Sequence, residues 1–395
     1  MNYIFISPEF PKNFVNFCRE LKNRGINVLG IGSSPYEYLS DELKESLTEY
    51  YKVNNMEWYD DVYRAVAYFA SRYGKIDYIE SNNEYWLELD AHLRTAFNVN
   101  TGKKLDEIEF FKSKEAMKVC YKKANVPTAR YHIPTTLDKG IEFVNKVGFP
   151  VIVKPDNGVG AYHTYKIRNM EELEDFYLNN FPSIKYIMEE YIDGDLISFD
   201  GVVDKDSNPV FFSNEVFPTP IMEVVNKVSD VFYYSNNNCP KDLEDAGRRV
   251  LKAFGAKERY FHLEFFRLKK DKKGLGSKGD IVGLEVNMRS PGGYTPDMIN
   301  YANSVSTYRI FADVIAKKYT DEDMSLPHYY CGYYGRRFQN RYEHSIEDIY
   351  NRFEGKIVVH DYMPDILAGA MGNEFFFIKT DSFDELMEFN KYCSK

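Results

Sequence analysis

The chain has little sulfur to work with. Five cysteines (Cys18, Cys120, Cys239, Cys331 and Cys393) are scattered through 395 residues, and no two form a CxxC pair. That spacing suits neither a thiolate zinc site nor a disulfide framework, and fits a reducing, cytoplasmic setting. Long apolar runs are missing as well: nothing approaches the ~20 residues a membrane helix needs. The start, Met1-Asn2-Tyr3-Ile4-Phe5-Ile6-Ser7, lacks the basic region and cleavage site of a secretion signal and reads as a β-strand. Positive charge is in deficit: 50 Lys and Arg against 60 Asp and Glu leave −10, which argues against a sequence-independent grip on nucleic acid. No GxGxxG follows the first strand, where Ser7-Pro8-Glu9-Phe10-Pro11 stands, so a dinucleotide-binding oxidoreductase is not expected.

What remains is ordinary globular composition, 44% hydrophobic and 28% charged, in a chain long enough for two or three domains. The 33 tyrosines read as compositional bias, some of them available to a homodimer contact. The first hundred residues alternate strand and helix: strands over 3–7, 27–31 and 76–80, helices over 12–24 and 60–73, with Gly25 and Gly74 ending the helices. That alternation predicts a parallel sheet with helices on both faces. Helices are expected over 112–125, 138–147, 241–254 and 300–318, and strands over 151–154, 186–192, 196–203 and 210–213. From about 326 onward a small α+β appendage is expected, with strands over 335–338 and 374–379 and a final helix.

The densest chemistry lies in two strands. In Leu284-Glu285-Val286-Asn287-Met288-Arg289 the two-residue period sends Glu285, Asn287 and Arg289 to one face and the apolar residues to the other. A half-buried edge strand gives the same alternation. The second strand, Tyr260 to Phe266, puts His262 and Glu264 on one face, and a basic, glycine-rich connection (269–279) makes the two a hairpin. Facing side chains of such a pair approach to about 4.5–5.5 Å, so Glu264 opposite Glu285 calls for a cation. Hard oxygen donors of this kind suit Mg²⁺ that shares its shell with phosphates, and Arg289 can fork onto a phosphate or carboxylate.

Upstream, the apolar strand Val151-Ile152-Val153-Lys154-Pro155 runs into Asp156-Asn157-Gly158-Val159-Gly160-Ala161. Backbone N–H groups of such a loop can meet phosphate oxygens beside the Lys154 charge, or form a plain turn. Ile187-Met188-Glu189-Glu190-Tyr191-Ile192-Asp193-Gly194 is a strand ending in a turn, able to hold a base by backbone groups or to be an ordinary strand with two acids.

In their order these segments resemble the ATP-grasp superfamily, specifically its carbamoyl-phosphate-synthase-like, carboxylate–amine ligase branch. The likeness runs from about residue 112 to 318. It implies a Rossmann-like pre-ATP-grasp domain (1–105), an ATP-grasp domain (106–325) and a small C-terminal α+β subdomain (326–395). The resemblance assigns ATP contacts to Lys114, Lys154, Gly158, Gly160, Glu189, Glu190 and Ile192. Metal donors are Glu264, Glu285 and Asn287, and Arg289 is the catalytic arginine. The ribose glutamate usual after the hinge glycine is missing, leaving Asp195 as the candidate, and Ser113 replaces a common aspartate. His262, Gly292, Gly293 and Arg336 are the substrate-side candidates, His262 as a proton-transfer group or a structural histidine. The implied activity is an ATP-dependent ligase that activates a carboxylate as an acyl phosphate for attack by an amine, releasing ADP and phosphate. It would use ATP and two Mg²⁺, with Mn²⁺ able to substitute. Alternatives within reach are carboxyphosphate chemistry of the biotin-carboxylase or purine-synthesis kind, and a non-catalytic nucleotide-binding regulatory protein.

Overall fold

The computed structural model describes residues 1–158, 164–179, 181, 184–219 and 221–395. Strands Glu49–Lys52, Asn27–Gly32, Asn2–Ile6 and Tyr78–Glu80, in that spatial order, form an all-parallel sheet. Every residue of Asn2–Ile6 is buried, as expected of a strand covered on both faces. The helices Phe14–Asn23 and Tyr59–Tyr73 lie in separate apolar clusters with this sheet.

The middle of the molecule is one antiparallel sheet. Its strands run Ile281–Asn287, Arg259–Leu268, Gly194–Val203, Glu215–Phe217, Val231–Ser235, Tyr330–Arg336, Glu374–Thr380, Ile357–Tyr362, with Pro209–Ser213 paired off that path to Gly194–Val203. The C-terminal α+β appendage is thus attached by its strands, which extend the same sheet. One sheet face carries Phe199, Phe261, Leu263 and Val286 against the helices Lys114–Lys123 and Lys241–Phe254. A third, four-stranded sheet (Tyr131–His132, Tyr186–Glu190, Val151–Pro155, Tyr165–Ile167) stands apart.

Two helices differ from expectation, each for a local reason. The helix expected over 112–125 breaks at Ser113, which caps Lys114–Lys123 by accepting from the Ala116 N–H. Asp156 fixes the break: it takes the Ser113 hydroxyl at 2.7 Å and the Glu115 N–H at 2.8 Å, a carboxylate placed where helix N-termini favour one. The helix expected over 300–318 is two, Thr295–Asn303 and Thr307–Ile315. Ser304 sits between them at φ 57°, and the Ser306 side chain accepts from Arg309 N–H to start the second. Among the described residues no helix is long and apolar enough to cross a membrane.

Candidate active site

The hairpin register carries the site. His262 pairs with Asn287 and Glu264 with Glu285 across antiparallel strands, with an irregularity just beyond Glu264. The two glutamates are partly buried, their side chains 21% and 18% exposed. Two facing carboxylates about 5 Å apart at an effective dielectric near 20 repel by about 3 kcal/mol. Burial first, then Glu84 and Glu264, raises the Glu285 pKa against the pull of Lys114 and Lys154. Burial also opposes the Glu264 charge, but His262, Arg289 and Lys154 hold its pKa below the ordinary range. Asn287 is buried, and its Oδ1 receives only a long 3.4 Å contact from Arg289. Among the described residues no group of three or more His, Cys, Asp or Glu forms a metal cage. Two carboxylates and an amide oxygen on neighbouring strands are hard oxygen donors whose chemistry fits Mg²⁺.

Opposite this hairpin lie the lysines. Lys114, first residue of its helix and buried, reaches Glu285 at 3.4 Å and the Gly158 carbonyl at 3.4 Å. Lys154 leaves its strand toward Glu189 at 2.8 Å, and Lys118 grips the same glutamate at 2.5 Å. Burial alone would raise the Glu189 pKa; the two lysines outweigh it and set it at about 2. Lys118 was not singled out from the sequence, although it sits four residues after Lys114 and so shares its helix face.

Other expected contacts divide. Ile192 is buried against Ala129, Leu268 and Val282, and its backbone N–H and carbonyl have no partner among the described residues, leaving them free for a ligand. Glu190 alternates to the other side of its strand. Its carboxylate is occupied by Arg130 (2.5 Å) and Lys272 (3.3 Å), and its backbone N–H donates to the Arg130 carbonyl at 3.0 Å. Asp195 is half exposed and paired with Lys269 at 2.8 Å. Gly160 lies outside the described residues.

Arg289 meets Glu84 at 2.5 Å and the Ser290 carbonyl at 2.7 Å, and its buried Nε has no partner. Glu84 follows the last strand of the parallel sheet, at the C-terminal ends of the strands where such sheets bind ligands; that position was the signal that could have found it. The Arg289 backbone is held from behind. Arg259 donates to the Met288 carbonyl at 3.2 Å and pairs with Glu80 at 3.0 Å, tying the hairpin exit to the parallel sheet.

On the substrate side, His262 hydrogen-bonds Asp200 through Nδ1 and faces Glu264 at 3.5 Å through Nε2. Burial opposes its charge, but Asp200 and then Glu264 raise its pKa to about 10. It is a charged, locked side chain at neutral pH. The Gly292 carbonyl accepts from Thr295 N–H. Gly293, at φ 60°, offers its carbonyl to Asn13 Nδ2 at 3.0 Å, and an added Cβ would press on Met371. Arg336 does not join them. It is buried among C-terminal elements, its guanidinium spent on the Cys393 and His344 carbonyls at 2.9–3.1 Å. Arg337 is used the same way on the Ser229, Ala368 and Gly369 carbonyls.

Known proteins resemble the chain in part of its sequence and in its fold. The family model for the ATP-grasp domain matches residues 147–296. The chain is 25% identical over 248 residues to the L-arginine-specific L-amino acid ligase of Bacillus subtilis, covering 60% of this chain and 56% of that protein. It is 26% identical over 170 residues to the carbamoyl phosphate synthase large chain of Clostridium perfringens, covering 42% of this chain and 15% of that one. The alignment therefore spans about half the length of the first curated relative and far less of the second. In fold it resembles the crystal structure of L-amino acid ligase from Bacillus licheniformis, with a TM-score of 0.71 at 16% identity over 99% of this chain and 97% of that one. Residues 147–296 thus match an ATP-grasp domain, and the fold around them is that of an amino-acid ligase structure.

Proposed function

We propose that the chain is an ATP-dependent carboxylate–amine ligase. The observation that carries this reading is the cross-strand pair Glu264–Glu285, with Asn287 and Arg289 following on the same strand and Lys114 and Lys154 facing them. Phosphoryl transfer requires in-line positioning and neutralised charge rather than a protein nucleophile. Lys114 and Lys154 hold the phosphate tail, and the Ile192 backbone holds the base. Glu264, Glu285 and Asn287 would hold Mg²⁺, which would supply neutralisation of the phosphate charge when bound. Arg289 binds the substrate carboxylate while its oxygen attacks the γ-phosphorus and ADP leaves. The same guanidinium then stabilises the acyl-phosphate oxyanion as the amine attacks the carbonyl carbon and phosphate departs. Glu84, paired to Arg289 in the resting site, is an acceptor for the incoming ammonium group.

The amino-acid ligases of Bacillus subtilis and Bacillus licheniformis, to which the chain is similar, support amino-acid substrates. The test is a panel of amino acids and dipeptides with MgATP, read by phosphate release and product mass. The reading expects phosphate release that depends on a particular acid–amine pair, with a product lighter than the pair by one water. Turnover that requires bicarbonate instead would replace this reading with carboxyphosphate chemistry. Nucleotide binding without turnover under any pair would leave a regulatory protein.

A further inference from the structure

A cleft of about 360 Å³ opens beside the central sheet, away from the glutamate hairpin. Ser213, Asn214, Asn236, Asn237, Asn238 and His328 line it. Asn214 is only 2% exposed, yet its Oδ1 has no hydrogen-bond partner. Indeed none of these four asparagine side chains makes a hydrogen bond among the described residues. A primary amide offers two donors and a two-lone-pair acceptor, and a buried one left unmatched costs about 1–3 kcal/mol. The buried Asn214 amide, with the partly exposed Asn236 and Asn237 and the exposed Asn238 beside it, is matched by an occupant that both gives and receives hydrogen bonds. Phe212 and Met324 add an apolar wall. The volume lies at the small end for ligand pockets, which suits a ring of monosaccharide size.

The cleft is wired to the hairpin. Ser213 pairs with Asp200, Asp200 with His262, and His262 with Asn287 across four adjacent strands on one sheet face. Strand spacing puts the ends of this row roughly 14 Å apart. Side chains close the row: His262 bonds Asp200, Ser198 Oγ bonds Asp200 and, at 3.0 Å, Glu215, and Ser235 donates to Glu215 at 2.9 Å. Ser213 meets Ser235 at 3.2 Å and takes an Asn303 N–H at 3.2 Å, while Asn303 Oδ1 meets His328 Nδ1 at 2.9 Å. The fold alone does not call for this row, since apolar residues replacing buried ionic groups are often neutral or stabilising.

We infer that this cleft binds a small neutral molecule carrying hydroxyl or carboxamide groups, and that its occupancy is felt at the nucleotide site through the Ser213–Asp200–His262–Asn287 row. The second half rests on the nucleotide reading above. The test uses the full chain with three probes, glucose, N-acetylglucosamine and nicotinamide, which separate a sugar from a carboxamide ligand. Binding is followed by ligand-observed NMR and MgATP affinity by calorimetry. At least one probe should saturate with a Kd near or below about 1 mM. Asn237→Trp, which fills the cleft, should weaken it at least about tenfold, and Asn238→Ala, at an exposed position, about threefold. Both variants should keep MgATP affinity within about twofold of the parent, whereas saturating probe should change the parent's MgATP affinity about threefold or more. Failure of all three probes to saturate, equal binding by parent and variants, or an MgATP affinity indifferent to bound probe would each overturn the inference. Absence of MgATP binding to the parent would overturn the nucleotide reading and the coupling with it, while the probe titrations would still decide the cleft.

Discussion

Glu189 offers a quantitative test of the phosphate side of the site. It is buried and held between Lys118 at 2.5 Å and Lys154 at 2.8 Å. Replacing it by glutamine keeps shape and volume but leaves two buried ammonium groups without a counter-charge. Removing one partner of a buried pair typically costs about 3–5 kcal/mol. The pKa gives an independent figure: a fall from 4.5 to about 2 corresponds to about 3 kcal/mol of stability. The sign is fixed by the direction of that fall. A carboxylate depressed in the folded chain contributes fully above its unfolded pKa, near 4.5, and the contribution drains away as pH drops toward 2. Glutamine does not titrate. Urea unfolding followed by circular dichroism should therefore show Glu189→Gln less stable than the parent by about 3 kcal/mol at pH 6, with the gap narrowing between about pH 4.5 and the lowest pH at which the parent stays folded. A gap below about 1 kcal/mol at pH 6, or one that does not change with pH, would refute the claim that this carboxylate is ionised between the two lysines.

Three other outcomes follow from the same geometry. Glu285→Ala or Arg289→Ala should lower turnover at least about 100-fold, as removal of a single oxyanion donor does, with an unchanged circular dichroism spectrum; a near-parental rate would remove either residue from its assigned role. Lys154→Ala should weaken ATP binding measured by calorimetry, and an unchanged affinity would contradict its placement on the phosphates. Arg336→Met should cost stability, about 1–3 kcal/mol for the buried carbonyls it leaves unmatched, while leaving substrate KM unaltered; a raised KM with unaltered unfolding would restore it to the substrate site.

The parts of the site written in a short period were legible in the chain. Glu264 and Glu285 could be placed face to face because a strand has one dominant rule, alternation, and a glycine-rich connection sets two strands side by side. Lys114 and Lys154 came from order along the chain and family likeness. What the sequence hid depends on contacts between distant segments. Glu84 and Arg289 are 205 residues apart, and Glu80 reaches Arg259 across 179; no local pattern links either pair. Arg336 misled for the same reason, since a strand arginine looks alike whether it faces a substrate or the Cys393 carbonyl 57 residues on.

Ser113 shows how far a local departure can be absorbed. Family likeness places an aspartate there, and its loss removes a negative charge from the N-terminus of the helix that presents Lys114. The structure supplies that charge from Asp156, whose carboxylate bonds both the Ser113 hydroxyl and the Glu115 N–H. Asp156 stands directly after Pro155, the last residue of the strand that carries Lys154. One carboxylate thus ties the helix bearing the first lysine to the strand bearing the second. Their spacing is set by that bond rather than by either element alone, so the cap and the placement of the two lysines are a single feature of the fold.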